Sequence, residues 1–304
     1  MKIRGVLQPA RSVHTMPLIP PAELPNTARL AWSASPLLNA SVAVHAVAIG
    51  SLLVAPEAAA WASGALVLNH LGLAGAGLWP RSQWLGPNLT RLAAGATQRN
   101  AVALTIDDGP DAEVTPQVLD MLDTLGVKAT FFCIAQRAQQ HAALVRNMLS
   151  RGHDVQNHSL RHKHNFALMG PTGLTLEVSR SQALLADITG VKPHCFRAPA
   201  GLRNPFLDRV LHHQDLLLTS WTRRGFDTRE RNPQRVLQRL NKGLSAGDIL
   251  LMHDGNAART EAGQPVILSV VPPLVQHAKG LGLHFETLSQ AVPRGHGAAQ
   301  PLAA

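Results

Sequence analysis

Residues 101–110 read AVALTIDDGP: a short apolar run, two adjacent aspartates, then Gly-Pro. An apolar run of this length without polar alternation reads as a strand covered on both faces, as in a parallel sheet. The turn that follows can hold Asp107 and Asp108 rigidly at the strand's end, where parallel α/β folds assemble their chemistry. Alone, Asp-Asp-Gly-Pro is also an ordinary turn, so its meaning depends on what surrounds it.

Downstream, strand and helix patterns alternate. Strand candidates lie at 128–134, 154–157, 194–197, 216–221, 248–252 and 284–287. Helical spacing covers 114–125, 135–151 and, roughly, 173–189, 204–213, 233–243 and 265–280; Gly152 stands where a left-handed cap would close the second of these. Seven or so such units predict an α/β fold with a parallel sheet, most simply a barrel.

Upstream, the composition changes. Residues 1–29 are polar and Pro-containing, with Lys2, Arg4, Arg11 and Arg29, and read as a flexible tail, as do 291–304 at the other end. Leu30–Pro56 contains no Asp, Glu, Lys or Arg, and after Glu57 neither does Ala58–Pro80. Each stretch exceeds the ~20 residues that cross a hydrocarbon core, so 30–80 is expected to form a transmembrane helical hairpin. Asn39, His45, Asn69 and His70 interrupt the apolar pattern, and a pair of buried soluble helices is the competing reading. A cleaved signal peptide fits less well, because the apolar region starts late and runs too long. Basic residues before the first segment, and Arg81, Arg91 and Arg99 after the second, predict that both ends lie in the cytoplasm if both segments span. If only one spans, the rest of the chain lies outside.

The 304 residues carry a formal net charge of +9, which is compatible with nucleic acid, an anionic membrane or an acidic substrate. No Lys/Arg-rich block interleaved with aromatics occurs, which argues against nucleic acid. Cys133 and Cys195 form neither a CxxC pair nor a disulfide framework, and their apolar neighbours predict buried free thiols.

Three further strings sit at the ends of strand candidates. In Asn157-His158-Ser159-Leu160-Arg161-His162, two histidines four residues apart can face one way and share a metal, with His164 as a rival. Added to Asp108, they make a two-imidazole, one-carboxylate set that leaves coordination positions open for water and substrate. In Phe196-Arg197-Ala198-Pro199-Ala200-Gly201, an arginine at a strand end is costly to bury alone, and an aspartate of the first string is its natural partner. In Met252-His253-Asp254-Gly255, a histidine after an apolar strand can reach the barrel mouth and serve as a general acid.

In this order and at these strand ends, the four strings resemble the polysaccharide deacetylases, the NodB-homology or carbohydrate esterase family 4 enzymes. The resemblance covers about residues 98–290 and implies a distorted (β/α)7-type barrel behind the N-terminal hairpin. It implies Asp107 as catalytic base, Asp108, His158 and His162 as ligands of a divalent metal, usually zinc (cobalt, nickel or manganese being alternatives), Arg197 as the residue orienting the base, and His253 as general acid. The backbone N–H of Ala200, after Pro199, would contribute to the oxyanion hole, and Trp221 would line the substrate site. Two departures stand out. Many relatives have acids three and six residues after the tryptophan; here Trp221 is followed by Arg224 and then Asp227, leaving Asp227 to pair with Arg197 or His253. Ala200 replaces a residue that is often aromatic.

The expected function is therefore a metal-dependent hydrolase that removes N-acetyl groups from an amino-sugar polymer at the bacterial inner membrane. A deformylase or deacetylase of a lipid-linked amino sugar is the runner-up, favoured by a cytoplasmic domain on a membrane hairpin. A non-catalytic carbohydrate-binding relative is disfavoured, because nearly every expected catalytic residue is present.

Overall fold

The computed structural model describes residues 31–292. The expected tails at 1–29 and 293–304 lie outside the described residues, whereas Ala291 and Val292 belong to the end of the last helix. Eight strands form one parallel sheet: β1 (Ala101–Asp107), β2 (Thr130–Cys133), β3 (Asp154–Asn157), β4 (Cys195–Phe196), β5 (Leu217–Leu218), β6 (Arg223–Arg224), β7 (Ile249–His253) and β8 (His284–Phe285). Their order is β5-β4-β3-β2-β1-β7-β6, with β8 paired to the start of β1, and the sheet curls into a half-barrel. The helices are α1 (Pro36–Val54), α2 (Ala59–Leu78), α3 (Ala94–Gln98), α4 (Val114–Leu125), α5 (Ala135–Gln140), α6 (Ala142–Ser150), α7 (Pro171–Thr189), α8 (Leu207–His213), α9 (Pro233–Asn241), α10 (Val266–Gly280) and α11 (Leu288–Ala291).

The expected helix over 135–151 breaks at His141, whose backbone (φ −123°, ψ 43°) leaves the helical region, giving α5 and α6. β6 carries no strand signal in its sequence: two arginines form it only because β7 offers a parallel edge. The α3 and α11 segments are too short for a helical period to register.

All of β1 is buried, and its two faces serve different cores. Val102, Leu104 and Ile106 join α4, α9 and α10 in the main hydrophobic cluster outside the sheet. Ala101 and Ala103 face inward with Phe132, Ile249, Leu251 and Leu288. Because strand side chains alternate, Thr105 and Asp107 share that inner face. Cys133 and Cys195 are buried and free, as expected.

The two N-terminal helices pack against each other. The polar residues that interrupt their apolar pattern meet between them: Asn69 Nδ2 donates to Ser41 Oγ at 3.0 Å, and the His45 and His70 rings lie edge to face, 5.2 Å between centroids. Val42, Val47, Ile49, Leu53, Val67, Leu68 and Leu71 point outward and are exposed. Among the described helices only α1, with a mean hydropathy of 1.9, is long and apolar enough to cross a membrane. α2 carries Asn69, His70 and several glycines, which lower its hydropathy.

Residues 79–92 leave α2 as a strap along the half-barrel. Leu89 lies beside β5, donating its N–H to Leu218 O and accepting from Ser220 N–H, both at 2.8 Å. Ser220 Oγ donates to Pro80 O, and Arg203 N–H donates to Gly77 O.

Leu104→Ala, which empties a fully buried position between sheet and helices, is expected to cost about 2–5 kcal/mol. Its urea midpoint should fall with an unchanged m-value; an unaltered midpoint would contradict this packing.

Candidate active site and metal centre

The ends of β1, β3, β4 and β7 bring the four strings together. The β1–β7 register sets Asp107 beside His253, and the β3–β4 register sets Asn157 beside Phe196. His158 and Arg197 follow directly on those last two residues.

Asp108 is held by its backbone. It adopts a left-handed conformation (φ 73°), and its carbonyl accepts from Arg137 Nη1 at 2.8 Å. Two glycines make room for this turn. A Cβ on Gly109 would collide with the Asp254 carboxylate, and one on Gly255 would collide with Asp108 O. Asn256 Nδ2 donates to Asp108 Oδ2 at 3.0 Å, while Oδ1 is buried without a hydrogen-bond donor of good geometry.

That oxygen faces two imidazoles. His158 Nε2 and His162 Nε2 each lie 3.2 Å from Asp108 Oδ1, and the three candidate ligand atoms all fall within 4.8 Å of one another. Ligands about 2.1 Å from one ion are separated by about 3.0 Å at right angles and about 3.4 Å at tetrahedral angles, so the observed edges suit a divalent cation. The histidine pair does not lie on a helix. Ser159 and His162 both have positive φ, and His162 N–H donates to Ser159 Oγ, so a tight loop turns both rings the same way. His164 is exposed and outside the cluster.

The surrounding contacts prepare the ligands. His158 Nδ1 donates to Arg197 O at 2.8 Å, leaving Nε2 free to coordinate. Burial lowers the His162 pKa to about 4, with the His158 charge acting in the same direction, so its imidazole is neutral at pH 7. Burial also opposes charge on His158, but Asp107 and Asp108 outweigh it and raise the pKa. Burial likewise opposes ionisation of Asp108, yet the histidines outweigh it and hold the carboxylate well below its ordinary pKa. The cluster thus favours cations.

Arg197 is 1% exposed and fully engaged. It donates to Asp107 Oδ1 (2.7 Å), Thr105 Oγ1 (2.8 Å), Thr219 O (3.1 Å) and Ser220 O (2.8 Å), and its guanidinium lies 4.0 Å above the Phe132 ring. Its expected partner is therefore present. The other Asp107 oxygen points toward the metal cluster, 3.9 Å from His158 Nε2.

Asp227 pairs with His253 and not with Arg197. One carboxylate oxygen lies 3.0 Å from His253 Nδ1 and the other accepts the His253 N–H at 2.8 Å. Burial opposes charge on His253, but Asp227, with Asp107 and Asp108 beyond it, raises its pKa to about 9. Ala200 is exposed with φ 56°, in the turn after Pro199. Gly201 brings that turn against Trp221 and Pro80, and Trp221 is a buried wall 5.7 Å from Arg197.

Several neighbours were not singled out from sequence. Thr105 could have been, since it shares the inner face with Asp107. Arg137 and Asn256 carry no local signal. Asp254, buried, has its pKa raised to about 6 chiefly by burial and receives a hydrogen bond from Thr115.

The polysaccharide deacetylase family model matches residues 94–216. A peptidoglycan-N-acetylglucosamine deacetylase of Bacillus cereus is 29% identical over 206 residues, covering 64% of this chain and 89% of that protein. One from Listeria monocytogenes is 34% identical over 159 residues, covering 52% of this chain but 33% of its own length. A solved family 4 carbohydrate esterase from Streptomyces lividans, in complex with acetate, is 31% identical with a TM-score of 0.57, covering 64% of this chain and 96% of that one.

Calorimetric zinc titration should show one ion per chain, and His162→Ala should largely abolish binding. Gly255→Ala, whose added methyl would first meet the Asp108 backbone and Arg137, should weaken affinity about 10–100-fold. Wild-type affinity in both variants would refute this assignment.

Proposed function

The chain belongs to the polysaccharide deacetylase family, and from that premise we propose that it hydrolyses the N-acetyl groups of a peptidoglycan-like amino-sugar polymer, with Asp107 as base and His253 as acid. The observation that carries the reading is the Asp107–Arg197 ion pair set beside the Asp108–His158–His162 cluster. The chemistry is hydrolysis of an amide on a sugar polymer.

Asp108, His158 and His162 would hold a divalent ion; two imidazoles and a carboxylate suit zinc first, with cobalt, nickel or manganese as substitutes. When bound, such an ion supplies a Lewis acid for the acyl oxygen and lowers the pKa of water at its open positions. Asp107 accepts the proton of the attacking water, and Arg197 keeps its carboxylate aimed at that point. The N–H of Ala200 offers a hydrogen bond to the developing oxyanion. His253, charged at neutral pH and held by Asp227, donates its proton to the departing nitrogen. Acetate and a free amino sugar result.

A second reading, hydrolysis of an N-formyl or N-acetyl group on a lipid-linked amino sugar, is supported by one observation. The strap that ends α2 touches the loop carrying Ala200 and Gly201 and the turn after β5. In this reading the hairpin lies in the membrane, with the exposed Trp79 and Trp84 in its interface. The flanking arginines favour the cytoplasmic side if both helices span.

Assays of acetate release from peptidoglycan should show activity that Asp107→Asn lowers by about 10²–10⁴-fold. An acid must be protonated, so activity is lost as pH rises through the pKa of His253. That limb falls at or below about 9, because a bound cation pulls it down. Asp227→Asn removes the main opposing charge and should move the limb about 1–3 units toward acid. An unmoved limb would overturn the acid assignment.

The membrane reading predicts that the protein stays in the membrane fraction after a carbonate wash. Recovery in the soluble fraction would exclude an embedded hairpin, and with it the lipid-linked reading.

A further inference from the structure

Beside the acid, the side chains of Trp221, Arg224 and Phe226 form a group that the hydrolytic mechanism does not use. β6 presents its two arginines differently. Arg223 donates to Asp248 Oδ2 at 2.5 Å and to the carbonyls of Lys242 and Gly243. Arg224 sits between two aromatic rings, 5.3 Å from the Trp221 centroid and 5.1 Å from that of Phe226. Its Nε is buried without a hydrogen-bond partner, and no carboxylate pairs with it among the described residues.

Its neighbours make this exceptional. Arg197 has Asp107, Arg223 has Asp248, and Arg239 has Glu230 at 3.2 Å. His253 is matched by Asp227. Arg224 therefore adds a positive charge without a carboxylate partner among the described residues, against the same Trp221 ring that Arg197 approaches. The rings approach the guanidinium carbon, whereas its two terminal amino groups, unlike the buried Nε, are open to a planar or tetrahedral anion.

Phe226 supplies the second observation. It is 49% exposed and holds φ at 63°, a conformation uncommon for a bulky residue and costly to maintain. The next residue is Asp227, whose carboxylate fixes His253. The strained backbone thus presents an exposed ring one residue before the partner of the acid, flanked by Arg224 and by Arg239 at 5.7 Å.

We propose that Arg224 and Phe226 form a subsite for an anionic sugar, with the ring taking the apolar face of a pyranose and the guanidinium binding a carboxylate or phosphate on it. This inference rests on the deacetylase reading and narrows it: the substrate carries a negative charge on or next to the N-acylated residue. Charge-assisted pairing in a partly desolvated position supplies the selectivity.

The test compares purified enzyme on a neutral chito-oligosaccharide, a carboxylate-bearing N-acetylated oligosaccharide and a phosphate-linked N-acetylated amino sugar. One of the two anionic substrates should be preferred over the neutral one by about tenfold or more in kcat/KM, the difference lying in KM and shrinking with salt. Which is preferred separates a carboxylated glycan from a phosphate-linked one. Arg224→Gln should remove the preference and Arg224→Lys should retain part of it; because the readout is a ratio within each variant, partial misfolding does not mimic it. An equal ratio in wild type and Arg224→Gln, or no preference in wild type, would overturn the subsite. If no glycan is hydrolysed, the deacetylase reading fails separately. Saturation-transfer NMR of the same anionic ligands with wild type and Arg224→Gln then decides the subsite: a transfer signal present with wild type and abolished by the substitution supports it, and an equal or absent signal refutes it.

Discussion

The buried Arg197 guanidinium is the constraint on which the site depends. A charge this deep is tolerated only when paired and fully hydrogen-bonded, and Arg197 meets both conditions by drawing on the ends of three other strands. It takes Asp107 and Thr105 from β1 and two carbonyls from the turn after β5, and it packs on Phe132 of β2. Its own carbonyl fixes the tautomer of His158 after β3. Asp107 and one candidate metal ligand are thus oriented by opposite ends of a single residue, so displacing it would disturb both.

The polar contacts form two linked sets. One runs from Thr105 through Arg197 to Asp107, and the other from Asp227 to His253. They meet because β1 and β7 are adjacent with Asp107 and His253 in register. Against the cost of its burial, Asp227, with Asp107 and Asp108 beyond it, holds His253 charged.

Much of this was legible in the sequence because it follows local rules. The β1 run and its two aspartates, the paired histidines and the Arg-Ala-Pro turn all lie within a few residues of one another in their strings. What stayed hidden depends on tertiary register. The choice of Asp227 between Arg197 and His253 is made by β6 docking on β7, and two arginines give no hint of a strand. Arg137 and Asn256 reach Asp108 from separate loops. The hairpin was read from composition, but composition did not reveal that Asn69 and His70 turn toward Ser41 and His45, so that the polar interruptions lie between the helices.

The strap that follows the hairpin also completes the barrel wall. Leu89 supplies the hydrogen bonds that β5 would otherwise leave open along its outer side. A catalytic fragment begun at residue 94, where the family model's match starts, would bare that strand edge together with the Ser220 hydroxyl. Bare edges recruit other edges. The strap thus works partly as an internal guard, covering an edge that would otherwise invite neighbouring molecules to join sheet to sheet.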